Sequence, residues 1–172
     1  HTSTPLSSGR DHTCAILDNG SLSCWGGISL TSGLGSNRTA LAIGSGRSHT
    51  CSILDNGSVS CWGDGGYGQL GNGGTSGVNS PTLTSSLGTE RTAVAISSGE
   101  YHTCAILDNG SVSCWGGNWY GALGDGTTDH KSTPTITSDL GNGSIAVAIS
   151  SGETHTCACL LYTSPSPRDK RQ

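Results

Sequence analysis

The sequence is short of the residues that build helices, membrane spans and nucleic-acid-binding surfaces. Its 172 residues include no Met and no Phe, and only 12% of them are charged. No amphipathic pattern with a 3.6-residue period is present, and the 28 Gly residues disfavour helix. No apolar run approaches the ~18 residues that a membrane span needs. The net charge of -4, without a basic stripe, predicts no nucleic-acid partner.

What the sequence has instead is an internal repeat. Residues 51–103 and 104–156 align without a gap, and 34 of the 53 aligned positions are identical. An earlier copy, residues 14–50, is shorter and lacks the counterpart of residues 67–81. This copy is either a natural short variant or the product of collapsing near-identical repeats during sequence assembly. Tandem duplication predicts a repeat architecture in which each unit packs on its neighbours.

Both ends of the chain shape the domain prediction. Residues 1–5 resemble the interior residues 130–134, so the chain is expected to begin inside a repeat and to be part of a longer protein with further blades. From Cys159 onward the sequence departs from the repeat and resembles translated sequencing-adapter read-through. We therefore predict a repeat array over residues 1–158 and a non-native or disordered tail over residues 159–172. A natural Pro/Ser-rich tail is the alternative.

Each repeat contains a hairpin signal, in which an apolar run is followed by Asp-Asn-Gly and then by an alternating run. In the third copy the turn is Asp108-Asn109-Gly110. If all three residues form the loop, with Gly110 in the left-handed conformation, Cys104 falls directly opposite Cys114. If only the last two residues form the turn, the register slips and the cysteines sit diagonally. The cysteine spacing favours the three-residue loop.

Two further strands are predicted in each repeat. Residues 93–96 read Ala-Val-Ala-Ile, so a strand here has one small face and one bulky face, as interdigitated sheets require. A fourth strand is predicted around residues 82–84 and, in the next copy, 135–137. Four short strands in about 50 residues describe one blade of a β-propeller. The predicted fold class is all-β, with β-propeller-type blades of short antiparallel strands in an incomplete arc of about three blades.

Two strings of residues carry a family resemblance. Residues 60–73 contain Ser-Cys-Trp-Gly followed by Tyr-Gly-Gln-Leu-Gly-Asn-Gly, and residues 98–103 read Ser-Gly-Glu-Tyr-His-Thr. Together they resemble the regulator of chromosome condensation repeat, and the resemblance covers residues 1–158. It implies four-stranded blades arranged in a ring. It also implies a structural, hydrogen-bonded role for the histidine before each hairpin, namely His12, His49, His102 and His155.

Six of the eight cysteines form three evenly spaced pairs: Cys14/Cys24, Cys51/Cys61 and Cys104/Cys114. Opposed, non-hydrogen-bonded positions of antiparallel strands have Cα atoms ~4.5 Å apart, within disulfide range. We therefore predict one disulfide per hairpin and an oxidising location, either extracellular, at the cell surface or periplasmic. Buried free thiols in a cytosolic protein are the alternative.

The arrangement of the cysteines and histidines disfavours both metal binding and catalysis. His102, Cys104 and Cys114 could share one face of the hairpin, but no closely spaced cysteine pair and no recurring fourth ligand accompany them. A Cys/His nucleophile pair would be copied into every repeat, whereas catalysis needs one differentiated site. We predict no metal, no cofactor and no enzymatic activity. A hydrolase or lyase on this scaffold would need a residue cluster unique to one blade.

Differences between the copies point to a binding surface. The hairpins scarcely change, whereas residues 64–66, 76–80 and the pair before each histidine differ from their counterparts. Variable loops on a fixed scaffold are how repeat proteins form binding faces, although unselected drift in solvent loops is the alternative. Aromatic residues concentrate in interfaces, so Tyr101, Trp119 and Lys131 are the candidate partner-binding residues.

The predicted function is an extracellular or cell-surface module that binds an unknown protein or surface ligand. The family resemblance implies one alternative, a guanine-nucleotide-exchange factor for a small GTPase. A secreted enzyme inhibitor is a second alternative, because some propellers of this type resemble β-lactamase-inhibiting proteins. The cysteine pairs and the lack of basic segments argue against the exchange factor.

Overall fold

The described part of the chain consists of β-strands joined by turns and loops. The computed structural model describes residues 5–28, 33–35, 37–138, 140–141 and 143–162. Within them no helix is long and apolar enough to cross a membrane. The thirteen strands found there are β1 (Leu6–Ser8), β2 (His12–Ile16), β3 (Leu22–Gly26), β4 (Ala40–Ser45), β5 (His49–Leu54), β6 (Val59–Gly63), β7 (Val78–Leu83), β8 (Ala93–Ser98), β9 (His102–Leu107), β10 (Val112–Gly116), β11 (Lys131–Ile136), β12 (Ser144–Ser151) and β13 (Thr156–Tyr162).

These strands form four antiparallel sheets in chain order: β1–β3, β4–β7, β8–β11 and β12–β13. The first strands of successive sheets, β1, β4, β8 and β12, lie beside one another. This is the arrangement of propeller blades, whose innermost strands line a common axis. The all-β propeller prediction is confirmed, with two complete blades flanked by two partial ones. The predicted fourth strand of each blade is also confirmed, and it begins earlier, at Val78 and Lys131.

The three-residue loop sets the register of every hairpin. Gly110 adopts a φ of 79°, and the Leu107 amide donates to the Ser111 carbonyl at 2.8 Å. Cys104 therefore lies opposite Cys114, as predicted. The hairpins β2–β3 and β5–β6 have the same register. The two-residue turn is wrong for all three hairpins.

A disulfide joins the two strands of each hairpin. The structure links Cys14 to Cys24, Cys51 to Cys61 and Cys104 to Cys114, each with a Cα–Cα distance of 4.1 Å. Sulfur atoms bonded to each other have no thiolate to offer, whereas the metal site considered for this face of the hairpin would need cysteine thiolates as ligands. Cys157 and Cys159 are free and exposed.

The inner strands depart from the simple alternation that the sequence predicts. In β8 the pairing with β9 shifts between Ala93 and Ala95, so Val94 is a bulge residue without a partner. Val94 is 60% exposed, whereas Ala93 is buried. The expectation of a continuous bulky face packed on a neighbouring sheet is therefore wrong at this position. The same holds at the counterparts Leu41 and Val147.

Neighbouring blades are joined by a repeated contact between a histidine and a threonine. The His49 Nε2 lies 2.9 Å from the Thr103 hydroxyl of the next blade, and the His102 Nε2 lies 2.8 Å from that of Thr156. His12 contacts Thr50 in the same way at 2.8 Å. His12, His49 and His102 are all buried. Each therefore has the structural, hydrogen-bonded role that the resemblance implies.

The apolar core lies between the sheets and not inside any one of them. One cluster joins the second and third sheets and includes Ile53, Val59, Leu70, Leu107 and Trp115. A second cluster joins the third and fourth sheets. Because each blade buries its faces only against its neighbours, stability accumulates from blade to blade.

The ordered array extends beyond the boundary predicted at residue 158. Residues 159–162 complete strand β13, where Cys159 pairs with Ala148 and Leu160 with Ala146. Ile106 and Leu107 pair with β8 in the same register in the preceding blade. Residues 163–172 lie outside the described residues, so the non-native tail stays a prediction.

The disulfides predict the result of a thiol titration. The chain should show two free thiols before reduction and eight after it. Replacing the third pair, C104A/C114A, should lower the free energy of unfolding by about 2–3 kcal/mol, because the unfolded chain loses a covalent loop closure. Thiol labelling with mass spectrometry and urea denaturation measure the two effects. Eight reactive thiols in oxidised, folded protein would contradict the disulfide arrangement.

The buried histidines predict acid sensitivity. Burial lowers the pKa of His49 to about 3 and that of His102 to about 4, from an ordinary value of 6.5. Between pH 6.5 and the folded pKa of each histidine, the unfolded chain binds a proton that the native chain does not. The contribution of these two histidines to the free energy of unfolding is therefore complete above pH 6.5. It is lost as the pH falls toward the folded pKa of each histidine. Over this range the free energy of unfolding falls by about 1.4 kcal/mol per pH unit for each histidine.

Urea denaturation across this pH range measures that slope. The variant His102→Gln keeps an amide nitrogen near the Nε2 position but cannot titrate, so its slope should be shallower than that of the wild type. An unchanged slope would show that His102 does not contribute to the acid sensitivity.

Candidate binding surface

Four aromatic rings from three loops meet at one end of the second and third blades. Tyr67 comes from the β6–β7 loop, Tyr101 from the β8–β9 turn, and Trp119 and His130 from the β10–β11 loop. In an up-and-down sheet these connections all emerge at the same end. The Tyr67 ring centre lies 4.6 Å from that of Trp119 and 5.1 Å from that of Tyr101. Trp119 and His130 are 4.3 Å apart. We call these four residues the aromatic cluster.

The rings of the aromatic cluster pack edge to face while remaining accessible to solvent. Interplanar angles between 69° and 78° place the edge of one ring against the face of another, the arrangement that the aromatic quadrupole favours. Trp119 is nevertheless 45% exposed and Tyr67 is 39% exposed. An ordered, half-exposed set of rings offers a large contact area at little further cost in side-chain entropy.

Charged groups border the aromatic cluster on the inner side. The Arg47 guanidinium lies 5.6 Å from the Tyr101 ring centre and pairs with the Glu100 carboxylate. The hydrogen bond from Arg47 lowers the pKa of Glu100, so this group stays ionised in ordinary buffers. Burial raises the pKa of Tyr101, which keeps its hydroxyl protonated. The surface therefore combines apolar rings with a fixed ion pair.

The same charges belong to a groove that follows the inner turns of all four sheets. The groove has a volume of about 490 Å³ and is lined by a Ser-Gly-X triplet from each blade. The X residues are Arg10, Arg47, Glu100 and Glu153, so basic residues occupy one half of the arc and acidic residues the other. These are the positions before each histidine that vary between the copies.

Asn118 fixes the loop that presents Trp119. Its amide nitrogen donates to the Asp125 carboxylate at 3.2 Å and to the Thr127 and Asp129 carbonyls at 3.0 and 3.2 Å. Its side-chain oxygen accepts from the Leu123 amide at 2.9 Å. The backbone amide of Asn118 also donates to His130 Nδ1 at 2.9 Å. A fully buried side chain thus holds the loop closed around both rings that it contributes.

Lys131 lies next to the aromatic cluster but is not one of its rings. Its Nζ is 3.5 Å from an Asp125 carboxylate oxygen. Burial alone would raise the pKa of Asp125, but hydrogen bonds from Thr127 and Asn118, with the charge of Lys131, lower it. Lys131 therefore supports the loop through Asp125 in this structure.

The structure brings together two of the three residues singled out from the sequence. Tyr101 and Trp119 lie 5.7 Å apart between ring centres. Comparison of the copies does not find Tyr67, because Tyr120 matches it in the next copy and the comparison marks only positions that differ. His130 falls within the variable stretch 129–133, so the signal for it was present.

The stacked antiparallel sheets and their differentiated loop surface define a β-propeller repeat protein. Residues 56–106 and 109–159 match the family model described as regulator of chromosome condensation (RCC1) repeat. A second model of the same description matches residues 6–27, 41–69 and 93–122. The chain belongs to the RCC1 repeat family.

Individual relatives match the chain over about half of its length. The human E3 ubiquitin-protein ligase HERC2 is 35% identical over 96 residues, which is 56% of this chain and 2% of HERC2. The zebrafish (Danio rerio) Protein RCC2 homolog is 39% identical over 82 residues, 47% of this chain and 16% of the relative. The chain thus spans only a small part of these proteins.

Solved structures show the same fold at low sequence identity. Prp20p from Saccharomyces cerevisiae, described together with its binding properties to Gsp1p and histones, has a TM-score of 0.80 at 19% identity, covering 96% of this chain and 45% of Prp20p. The ectodomain of the Arabidopsis thaliana receptor kinase ACR4 has a TM-score of 0.57 at 22% identity, covering 92% of this chain and 45% of the other.

The buried Asn118 predicts a loop-specific effect of mutation. Asn118→Ala removes one acceptor and three donor contacts, so the free energy of unfolding should fall by about 1–3 kcal/mol. Hydrogen exchange of residues 119–130 should rise more than that of the hairpins. Asn72→Ala is the matched control, because Asn72 occupies the position of Asp125 in the second blade and accepts one bond from Gly74. Equal effects of the two substitutions would contradict the role of Asn118.

Proposed function

We propose that the chain is an extracellular or cell-surface protein-binding module that contacts its partner through the aromatic cluster and the adjoining Arg47–Glu100 pair. The observation that carries the proposal is the cluster itself. Four rings from two blades converge on a surface where they remain accessible.

A protein partner fits this surface better than a small ligand does. The rings come from three loops and Tyr67 and Trp119 remain about half exposed, whereas small ligands prefer concave, mostly apolar cavities that enclose them. Interface hot spots are enriched in Trp, Tyr and Arg, all of which occur here within one patch. The salt-bridged Arg47 and Glu100 can give the partner orientation, because a complementary charge pair steers encounter and fixes register.

The disulfides support an oxidising location. Each complete hairpin in the described residues holds one, and thiols of cytosolic proteins are normally kept reduced. The likeness to the ACR4 ectodomain shows the fold alone, and that fold is compatible with an extracellular position. The location is therefore proposed on the cysteine chemistry of this chain.

Binding is proposed in place of catalysis because the potential catalytic groups are engaged in structure. His49 and His102 are buried and bonded to threonines of the next blade. Burial holds their pKa values at about 3 and about 4, well below the neutral range in which a general base operates. The nearby cysteines are disulfide-bonded.

The exchange-factor and inhibitor alternatives stay predictions of the sequence. No contact in the described residues favours either one over general protein binding. An exchange factor would also have to function in the reducing cytosol, where its disulfides would be exposed to thiol exchange.

Site-directed variants of the aromatic cluster test the proposal. The immobilised chain is screened against secreted proteins, captured partners are identified by mass spectrometry, and affinities are measured by surface plasmon resonance. Trp119→Ala and Tyr67→Ala should each weaken binding by about tenfold or more, as expected for hot-spot residues. Tyr120→Ala is the matched control, because Tyr120 is the repeat counterpart of Tyr67 but is 77% exposed and belongs to none of the ring pairs found in the described residues.

Equal affinity for the wild type and Trp119→Ala would overturn the assignment of the surface. Release of a fluorescent guanine nucleotide from a small GTPase is measured in parallel. Acceleration by the wild type and not by Trp119→Ala would favour the exchange factor over the extracellular module.

A further inference from the structure

The charged residues of the inner turns form a single row across the four sheets. The Arg10 backbone amide donates to the Arg47 carbonyl at 3.3 Å. The Arg47 amide donates to the Glu100 carbonyl, and the Glu100 amide to the Glu153 carbonyl, both at 3.2 Å. These bonds fix the order of the four residues, which is plus, plus, minus, minus. We call Arg10, Arg47, Glu100 and Glu153 the charged row.

The two ends of the charged row are the least neutralised. In its middle, Arg47 and Glu100 pair with each other. The Arg10 side chain is 58% exposed, and its only ion pair in the described residues, with Asp11, spans 3.8 Å. Glu153 is exposed and forms no ion pair in the described part of the chain. Its side chain lies beside the Glu100 carboxylate, so this end of the row favours a cation from outside.

The order of the charges makes the row complementary to a second copy of itself. An isologous interface brings the same surface of two copies together about a two-fold axis. An axis in the plane of this loop end, passing between Arg47 and Glu100, reverses the order of the row in the second copy. Arg10 of each copy then faces Glu153 of the other. Every contact between the two rows joins opposite charges, whereas an order of plus, minus, minus, plus would oppose like charges.

The aromatic cluster lies beside the same axis. Tyr67 comes from the blade that contains Arg47, and Tyr101 and Trp119 come from the blade that contains Glu100. The cluster therefore spans the junction at the middle of the charged row. Residues next to a two-fold axis meet their own counterparts, so the half-exposed rings of two copies would cover one another. Apolar rings at the centre and charges at the rim are the usual anatomy of a protein interface.

We propose that the partner of this surface is a second copy of the chain, bound face to face about a two-fold axis between Arg47 and Glu100. The inference rests on the proposed function, because both use the aromatic cluster as the contact surface. It adds the identity of the partner. A second copy is favoured over a foreign protein because it supplies the complementary charges in the order that the row requires.

Reversing the charge at either end of the row tests this arrangement. Arg10→Glu opposes two carboxylates at both ends of the interface, and Glu153→Arg opposes two guanidinium groups. Each variant should raise the dimer dissociation constant by about tenfold or more, because two symmetry-related attractive pairs become repulsive. An equimolar mixture of the two variants should dimerise again, because the heterodimer restores opposite charges at both ends.

Sedimentation equilibrium from about 1 μM to 1 mM protein measures the association of the full chain. All proteins carry Cys157→Ser and Cys159→Ser, so that disulfide-linked dimers cannot form through these exposed thiols. Near-ultraviolet circular dichroism verifies that each variant is folded. Added NaCl should weaken the dimer, because salt screens exposed charges.

An ion pair at the opposite end of the sheets provides matched controls. Arg91 lies 3.2 Å from Asp108, which belongs to the β9–β10 turn. Arg91→Glu and Asp108→Arg change the net charge of the chain by the same amounts as Arg10→Glu and Glu153→Arg. Both control variants should leave the dimer dissociation constant unchanged. Trp119→Ala should raise it by about tenfold or more, as expected for a central aromatic residue.

A chain that stays monomeric up to the highest concentration would overturn the inference. The proposed function would still hold if other proteins bind the aromatic cluster in the resonance experiment. A dimer that survives both single reversals, or a mixture of the two variants that does not recover, would also overturn it. If Trp119→Ala alone weakened that dimer, the cluster would remain a protein-binding surface, and only the two-fold arrangement would be wrong.

Discussion

The left-handed glycine that ends each Asp-Asn-Gly turn is the constraint on which the rest of the structure depends. Gly20, Gly57 and Gly110 have φ values of 75°, 75° and 79°. This conformation adds a third residue to the loop, and the hairpin register follows from it. The register then places cysteine opposite cysteine. It also positions the tryptophan of the return strand on the face that meets the preceding blade.

The same glycine fixes the distance to the next blade. The Gly110 carbonyl accepts a hydrogen bond from the Ala146 amide at 2.8 Å, and a Cβ on Gly110 would lie 2.5 Å from the Ile145 side chain. Gly57 repeats both contacts, with Ala93 and with Thr92. One residue type therefore sets both the local hairpin and the spacing of the sheets. At the other end of the blade, the His–Thr contact holds the same two neighbours together.

The parts of the fold that repeat could be predicted from the sequence, and the parts that depend on neighbours could not. The period, the hairpin register and the cysteine pairing follow from local turn chemistry. The bulge at Val94 does not, because alternation along a strand carries no sign of an unpaired residue. The continuation of β13 through Leu160 was also missed. Its pairing with β12 outweighs the change of sequence after Ala158.

The aromatic cluster shows why comparing copies finds only part of a binding surface. Tyr67 and Tyr120 occupy equivalent positions, so the sequence treats them alike. Only Tyr67 faces a following blade that places Tyr101 and Trp119 beside it. Where Tyr101 stands in that blade, the last blade has Thr154, and Tyr120 remains exposed. A site in a repeat protein is thus a property of the junction between two unequal copies. Invariant residues can belong to it as fully as variable ones, because the neighbour decides which invariant residue becomes part of the surface.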